Sequence, residues 1–470
     1  LYLLLAYSQI LIGNKHIHIF VLAGCLSCLA LLSDAQIHPD YVPIEVDMKQ
    51  DIPLDFLKKS QGSTPIRIAT QPRKKRKKRR KDTRLWEEFK TQTRYSVKEV
   101  FLSGNIYYND TFSHYIRKIA APIIEKSSAK RSIRIYACRY TSANAYTWLD
   151  GTILINIGLL KRIKNEDQLA FVLAHEIAHL EAGHQYQNFE HQEHASRGGV
   201  VSSESYLNFI RFNDGHEREA DLRAMELLNE TKYDATAGAT VLNLLDEHSR
   251  IKADKRYLSA LTGQNLIHEN EWCSSAQQAE YQRINSREFG YHGIYERMKA
   301  LNQKPIPSKT STEYQQIREM ARIEDVSNLY EKASYVPSLY AALEALEDYP
   351  DNRFLKETAA KSLFSIARFA RNGRITAMLR AQCRDANFAL SSLCCTFQTM
   401  DAARTQEVAH NFVKNAYEST KDSEELTILY AKSIEQYQGI QAARPIYSLY
   451  LSKFASGKHK RLVQKKLQID

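Results

Sequence analysis

Two histidines four residues apart, His175 and His179, flank a glutamate in the run LAFVLAHEIAHLEAGH, residues 169–184. On a helix that spacing sets both imidazoles on one face, one turn apart, where they can share a metal ion. Glu176 stands beside His175 and can reach a water on that ion, the placement a general base needs. The other side of the stretch, Leu169, Leu173, Ile177 and Leu180, is apolar, and Ala170, Ala174 and Ala178 permit close packing. Without chemistry the same residues read as a buried core helix with two incidental histidines, so the motif needs partners.

A catalytic zinc takes three protein ligands and keeps a fourth position open. Glu217-Arg218-Glu219-Ala220-Asp221 follows His179 by 38 residues. Glu217 and Asp221 share a helical face. One can ligate the metal while the other accepts a hydrogen bond from a ligating imidazole and fixes its tautomer. The plainer reading makes Asp214-x-x-Glu217 a capping box on a solvated helix. His184, His191, His194 and His216 compete as ligands, but their segment is rich in Gln, Ser and Gly and reads as a mobile loop, poor support for a rigid site.

These side chains need a scaffold. Asn165-x-x-Gln168 predicts a capped helix over 166–183, and further helices are expected over 86–101, 110–127, 204–230, 234–250 and 290–302. Residues 132–138 (SIRIYAC) alternate as a strand does. Residues 144–149 and 152–156 are β-rich and meet across Asp150-Gly151, a good hairpin turn. Helices around a small mixed sheet make residues 85–304 an α+β domain. Beyond Pro305 strand signals vanish, and residues 305–470 read as an all-α domain. Leu339 to Pro350 looks like one helix of a tetratricopeptide-type hairpin, but no 34-residue period is visible, so a bundle and a degenerate solenoid both stay open. With the catalytic elements between 98 and 302, a chain ending near residue 310 is expected to keep its metal.

Composition bounds the rest. The 470 residues are 43% hydrophobic and 25% charged, an ordinary globular balance. The net charge of +11 is mostly local: Arg73 to Lys81 are nine consecutive basic residues, and 11 minus 9 leaves +2 for the remainder. A specific nucleic-acid role is not implied. Residues 36–84, with five prolines and this run, read as a disordered basic linker, or as a tether to an anionic membrane surface. The first 35 residues look like a signal peptide: a 14-residue apolar run from Ile19 to Leu32, then Ser33-Asp34-Ala35 as the cleavage site. An exported chain, periplasmic or secreted, is expected; the alternative is a lipid anchor at Cys25, because Leu22-Ala23-Gly24-Cys25 has lipobox form. The remaining thiols, Cys138, Cys273, Cys383, Cys394 and Cys395, lack the spacing of a disulfide framework or a zinc site, so buried thiols with at most one or two bridges are expected.

Taken together, the 169–184 run and the later E-x-x-A-D resemble the prenyl-protease-like zinc metallopeptidases, the HtpX and BepA type within the gluzincins. Leu102-Ser103-Gly104, Asn144-Ala145 ahead of Gly151-Thr152-Ile153, Gly158-Leu159-Leu160 and His292-Gly293-Ile294-Tyr295-Glu296-Arg297-Met298 extend the likeness over about residues 98–302. Gly293 stands where the family has proline, and Asp150-Gly151 where it has paired glycines. The resemblance implies one zinc per chain on His175, His179 and Glu217, with Glu176 as general base and Asp221 supporting an imidazole. It implies that His292 lies near the metal, steadying the oxyanion or blocking the site at rest, and that Arg297 positions that region. Asn144 and Ala145 would hold an extended substrate by β-addition. The implied function is a zinc endopeptidase for unfolded or misassembled exported or envelope proteins, with envelope partners docking on the C-terminal helices. A chaperone or scaffold with a poorly active zinc site is the alternative.

Overall fold

The computed structural model describes residues 43–44, 80–108, 110–129, 133–196, 203–250, 266–268, 271–274, 277, 297, 299, 301, 310–383 and 388–468. The expected signal segment, Cys25, most of the linker, Arg73 to Arg79 of the basic run, and His292 lie outside the described residues. Helix α1 (Arg80–Leu102) begins inside the basic run, five residues ahead of the boundary read from the sequence.

Four strands form one mixed sheet in the order β1-β2-β4-β3. Strands β2 (Arg134–Cys138) and β4 (Thr152–Asn156) run parallel, with Tyr136 opposite Leu154. Every residue of β4 is buried, because helices cover both faces of the sheet. Strand β1 (Ile106–Tyr107) pairs antiparallel with β2, and β3 (Ala145–Thr147) pairs antiparallel with β4 at the opposite edge. The expected hairpin turns at Gly151, whose φ of 92° is left-handed backbone open to glycine without steric cost. Asp150 accounts for the departure from paired glycines: it accepts from the Thr152 amide at 3.0 Å and from Arg134 Nη2 at 2.9 Å. Next comes the short α3 (Ile157–Leu160). A Cβ on Gly158 would stand 2.0 Å from the Thr141 carbonyl oxygen, so only glycine lets α3 pass beneath the chain that enters β3.

Helix α4 (Glu166–Ala182) carries the two histidines. Asn165 Oδ1 accepts from the Gln168 amide at 2.9 Å, and Gln168 Oε1 accepts from the Lys164 amide at 2.7 Å, a reciprocal cap for its orphan N–H groups. It ends at Gly183, with φ 71°. Leu169, Leu173, Ile177 and Leu180 are all buried. Helix α2 (Thr111–Lys126), helix α6 (Ser203–Asn229) and helix α7 (Ala237–Arg250) pack around α4. The loop expected around His184, His191 and His194 is instead helix α5 (His184–Ser196), packed on α4, α6 and α1. What holds it is aromatic: Tyr186 is buried edge-on against Trp86 and Phe89, at 4.6 and 5.3 Å between ring centroids. Polar composition hid this anchor.

The C-terminal region is all helix among its described residues: α8 (Thr312–Glu331), α9 (Tyr335–Asp348), α10 (Arg353–Arg371), α11 (Ile375–Gln382), α12 (Phe388–Thr399), α13 (Ala402–Ser419), α14 (Glu424–Gln438), α15 (Ile440–Lys453) and α16 (Lys460–Leu467). Packing runs mainly between neighbours, α8 on α9, α9 on α10, α10 on α13, then α13 through α16 in turn. The two regions interlock. Tyr314, Ile317 and Ala321, on the first half of α8, lie in the same hydrophobic cluster as α2 and α4, whereas Ile323 and Val326 belong to the helical cluster. Glu324, wholly buried, accepts from Tyr107 Oη at 2.8 Å and from the Ile44 amide at 2.7 Å. In the other direction, Leu266, Ile267 and Cys273 join the helical cluster. Cys273 is bridged to Cys395, and Arg404 clasps Glu271 at 2.6 and 2.9 Å. A second disulfide joins Cys383 to Cys394, and Cys138 remains a buried thiol.

Candidate metal centre

Helices α4 and α6 build the site between them. His175 Nε2 and His179 Nε2 stand 3.0 Å apart, and each lies 3.4 Å from a carboxylate oxygen of Glu217. Among the described residues, this is the one group of three His, Cys, Asp or Glu side chains whose ligand atoms all fall within 4.8 Å of one another. Two imidazole nitrogens and one carboxylate are a donor set that suits zinc. The register of α6 on α4 is held by Arg223, which donates to Glu181 at 2.7 Å.

One turn after Glu217, Asp221 is buried with Oδ1 2.9 Å from His175 Nδ1. The two carboxylates that spacing left interchangeable thus divide: Glu217 faces the side that both histidines share, and Asp221 the far side of one. Arg297 joins them from a distant part of the chain, donating to Asp221 at 2.7 and 2.9 Å and lying 2.9 Å from Glu217 Oε2. Of the competing histidines, His184 lies against His179 Nδ1 at 2.9 Å, on the side away from Glu217, and stacks on His216. The side chain of His194 is outside the described residues, and His191 on α5 joins no such ligand group.

Charge follows from this geometry. Burial opposes the imidazolium of His175, but the carboxylates of Asp221 and Glu217 outweigh it and push its pKa up to about 10. Burial, with His175 beside it, holds His179 down at about 3. Burial would raise Glu217; His175, His179 and Arg297 overcome that and hold it well below the usual carboxylate range. Asp221 is likewise held down against burial by Arg297 and His175. Glu176 is raised, by burial, with His175 and Thr147 offsetting part of the effect.

Glu176 and the edge strand meet at Thr147, whose hydroxyl donates to the Glu176 carboxylate at 2.5 Å. Thr147 is the inward residue of β3, two after Ala145, and nothing in its sequence context singled it out. Asn144 and Ala145 lie at the start of β3; Asn144 accepts from the Asn156 amide at 3.2 Å and its side chain caps the Ala145 amide at 3.0 Å. All three line a cavity of about 650 Å³ that also contains His175, His179, Glu217 and Arg297. Its apolar wall includes Phe171, stacked 6.3 Å from His175, and Val241 and Leu242 of α7. That cavity is large enough for a segment of polypeptide.

Residues 112–197 match Peptidase family M48. That span covers α2 to α5 and so includes His175, Glu176, His179 and His184, but ends before Glu217. The chain is 23% identical over 178 residues to the beta-barrel assembly-enhancing protease of Yersinia pestis, covering 33% of this chain and 37% of that protein. It is 22% identical over 180 residues to the protein of the same name from Escherichia coli (strain K12), with the same coverage. The chain therefore spans little more than a third of the length of these curated relatives.

Proposed function

We propose that this chain, which carries a Peptidase family M48 domain, is a zinc-dependent endopeptidase that hydrolyses peptide bonds of exported or envelope proteins. The observation that supports this most is the convergence of His175, His179 and the Glu217 carboxylate within 4.8 Å, with Glu176 beside them under the edge of a sheet. In this reading the three side chains hold one zinc ion. When bound, the ion supplies Lewis acidity to the peptide carbonyl and lowers the pKa of a water from about 15.7 towards 7. Glu176, whose proton affinity burial has raised, takes the proton from the attacking water and passes it to the leaving amine. Thr147 keeps the carboxylate turned towards the cavity. Strand β3, at the sheet edge beside Asn144 and Ala145, is where an extended substrate would add as a further strand, the Ala145 amide exchanging its Asn144 side-chain cap for a substrate carbonyl.

Misassembled or unfolded envelope proteins are the proposed substrate class, on the likeness to the beta-barrel assembly-enhancing proteases and on the apolar run Ile19 to Leu32, read as an export signal. No helix among the described residues is long and apolar enough to cross a membrane. The C-terminal helices are the proposed recruiting surface, and Arg73 to Lys81 a contact for anionic lipid. Metal analysis of the purified chain, paired with casein cleavage by wild type and Glu176→Gln, tests the core of the reading. About one zinc per chain is expected in both, with cleavage lost only in the variant. A wild type that binds no zinc would sink the metal assignment. Zinc-loaded wild type that cleaves nothing would favour a chaperone or scaffold.

A further inference from the structure

His184 is the first residue of α5 and 1% exposed. Its Nδ1 lies 2.9 Å from Nδ1 of His179. The other nitrogen of His179, Nε2, faces Glu217 and His175. An imidazole that offers its Nε2 lone pair to a metal carries its proton on Nδ1. His179 Nδ1–H must therefore donate, and His184 Nδ1 accept. That assignment puts the proton of His184 on Nε2, which lies 3.4 Å from Glu219 Oε2. The ring of His184 cannot swing away, because His216 stacks on it nearly parallel, 12° between planes and 4.1 Å between centroids. His216 is itself held by Asn188 Oδ1, 2.9 Å from its Nδ1.

We infer that His184 is a positioning residue for the metal centre: it fixes the tautomer and ring orientation of His179 as Asp221 does for His175. The inference rests on the zinc reading above and adds a second outer partner to it. Each candidate ligand then has a polar group at its far nitrogen: Asp221 Oδ1 2.9 Å from His175 Nδ1 as an ion-pair contact, and His184 Nδ1 2.9 Å from His179 Nδ1. Acceptors in this position raise ligand basicity and hold the ring in register, and losing one typically costs about 10 to 100-fold in metal affinity. Glu219, two-thirds exposed, stands 3.4 Å from His184 Nε2 without a hydrogen bond, and an exposed pair of this kind contributes little.

The test measures zinc affinity of the full chain by competition with a chromophoric chelator, and the visible spectrum of the cobalt(II)-substituted protein. His184→Phe keeps the ring stacked on His216 but removes the acceptor. His184→Asn restores an acceptor close to where Nδ1 stood. The expected result is a zinc affinity about 10 to 100-fold weaker in His184→Phe, with an altered cobalt spectrum, and recovery of most of the loss in His184→Asn. The inference is overturned if folded His184→Phe binds zinc as tightly as wild type, or if folded His184→Asn is no better than His184→Phe. Loss well beyond 100-fold in both, with collapse of the cobalt bands, would make His184 a direct ligand and equally overturn it. Should His184→Phe not fold, affinity within about threefold of wild type in His184→Asn is the required outcome and a tenfold loss refutes it. A wild type that takes up no zinc removes the metal reading and this inference together; a wild type that binds it, with unaffected variants, removes this inference alone.

Discussion

Arg297 grips both carboxylate oxygens of Asp221, at 2.7 and 2.9 Å, across 76 residues of chain. Asp221 in turn stands 2.9 Å from His175, so one guanidinium holds the carboxylate that faces a candidate ligand. Arg297→Met should therefore act on the candidate metal centre twice, through Asp221 and through the direct 2.9 Å contact with Glu217 Oε2. It strands a buried carboxylate, and breaking such a pair is strongly destabilising, about 3 to 5 kcal/mol. The expected outcome is a lower melting temperature with weaker zinc binding. Arg297→Lys should recover charge but not the two-pronged fit. Unchanged zinc affinity in a folded Arg297→Met protein would show that Asp221 holds its place unaided.

Thr147 turns the Glu176 carboxylate towards the cavity through one short hydrogen bond. Thr147→Val keeps the shape and removes the donor. Zinc content should be unchanged and kcat should fall by up to about a hundredfold, the order expected from misplacing a catalytic group, with little effect on KM. A fall in zinc content instead would mean that the hydroxyl serves the ligands.

Gly238 lets α7 approach α4 so closely that an added Cβ would stand 2.3 Å from the Phe171 ring, and that ring stacks on His175. Gly238→Ala should cost about 1 to 3 kcal/mol by overpacking and perturb the metal site through Phe171. Phe171→Leu should relieve part of this, which a double-mutant cycle would register as a coupling energy. Strict additivity of the two substitutions would dissolve the proposed contact chain.

Truncation has a different expected result from the one the sequence suggests. A chain ending near residue 310 loses Tyr314, Ile317 and Ala321 from the cluster that contains α2 and α4, and loses Glu324 from Tyr107. It should lose near-ultraviolet circular dichroism and zinc together. A chain that continues through Glu331 should retain more of both. Equal zinc content and equal melting in the two would show that α8 is dispensable to the catalytic core.

Zinc binding should release a proton. Without metal, His175 carries a proton up to about pH 10, and His179 is neutral above about 3. The metal needs the neutral form of both. Protons thus favour the metal-free state at His175, and apparent affinity should rise about tenfold per pH unit between pH 6 and 8. Calorimetry in buffers of different ionisation enthalpy should return about one proton per zinc; a pH-independent affinity would refute the pairing of His175 with Asp221.

Local periodicity made part of this protein legible. His175, Glu176 and His179 could be read because a helix repeats every 3.6 residues whatever surrounds it, and the cap at Asn165 and the turn at Asp150-Gly151 are written in a few adjacent residues. The same periodicity paired Glu217 with Asp221 but could not say which one ligates. Which of them faces both histidines was decided by how α6 packs on α4, a matter of two helices separated by α5. Spacing also cannot see a role that consists in touching a distant residue. His184 read as a loop histidine until Tyr186, packed against Trp86 and Phe89, made its segment a helix. Thr147 and Arg297 bond to side chains 29 and 76 residues away. Amphipathic patterning showed that α8 buries a face, but only the tertiary structure decided against what: half of that face joins the cluster of α2 and α4, and half begins the helical region. Burial is a property of composition along one element, whereas the partner is chosen by the arrangement of all of them.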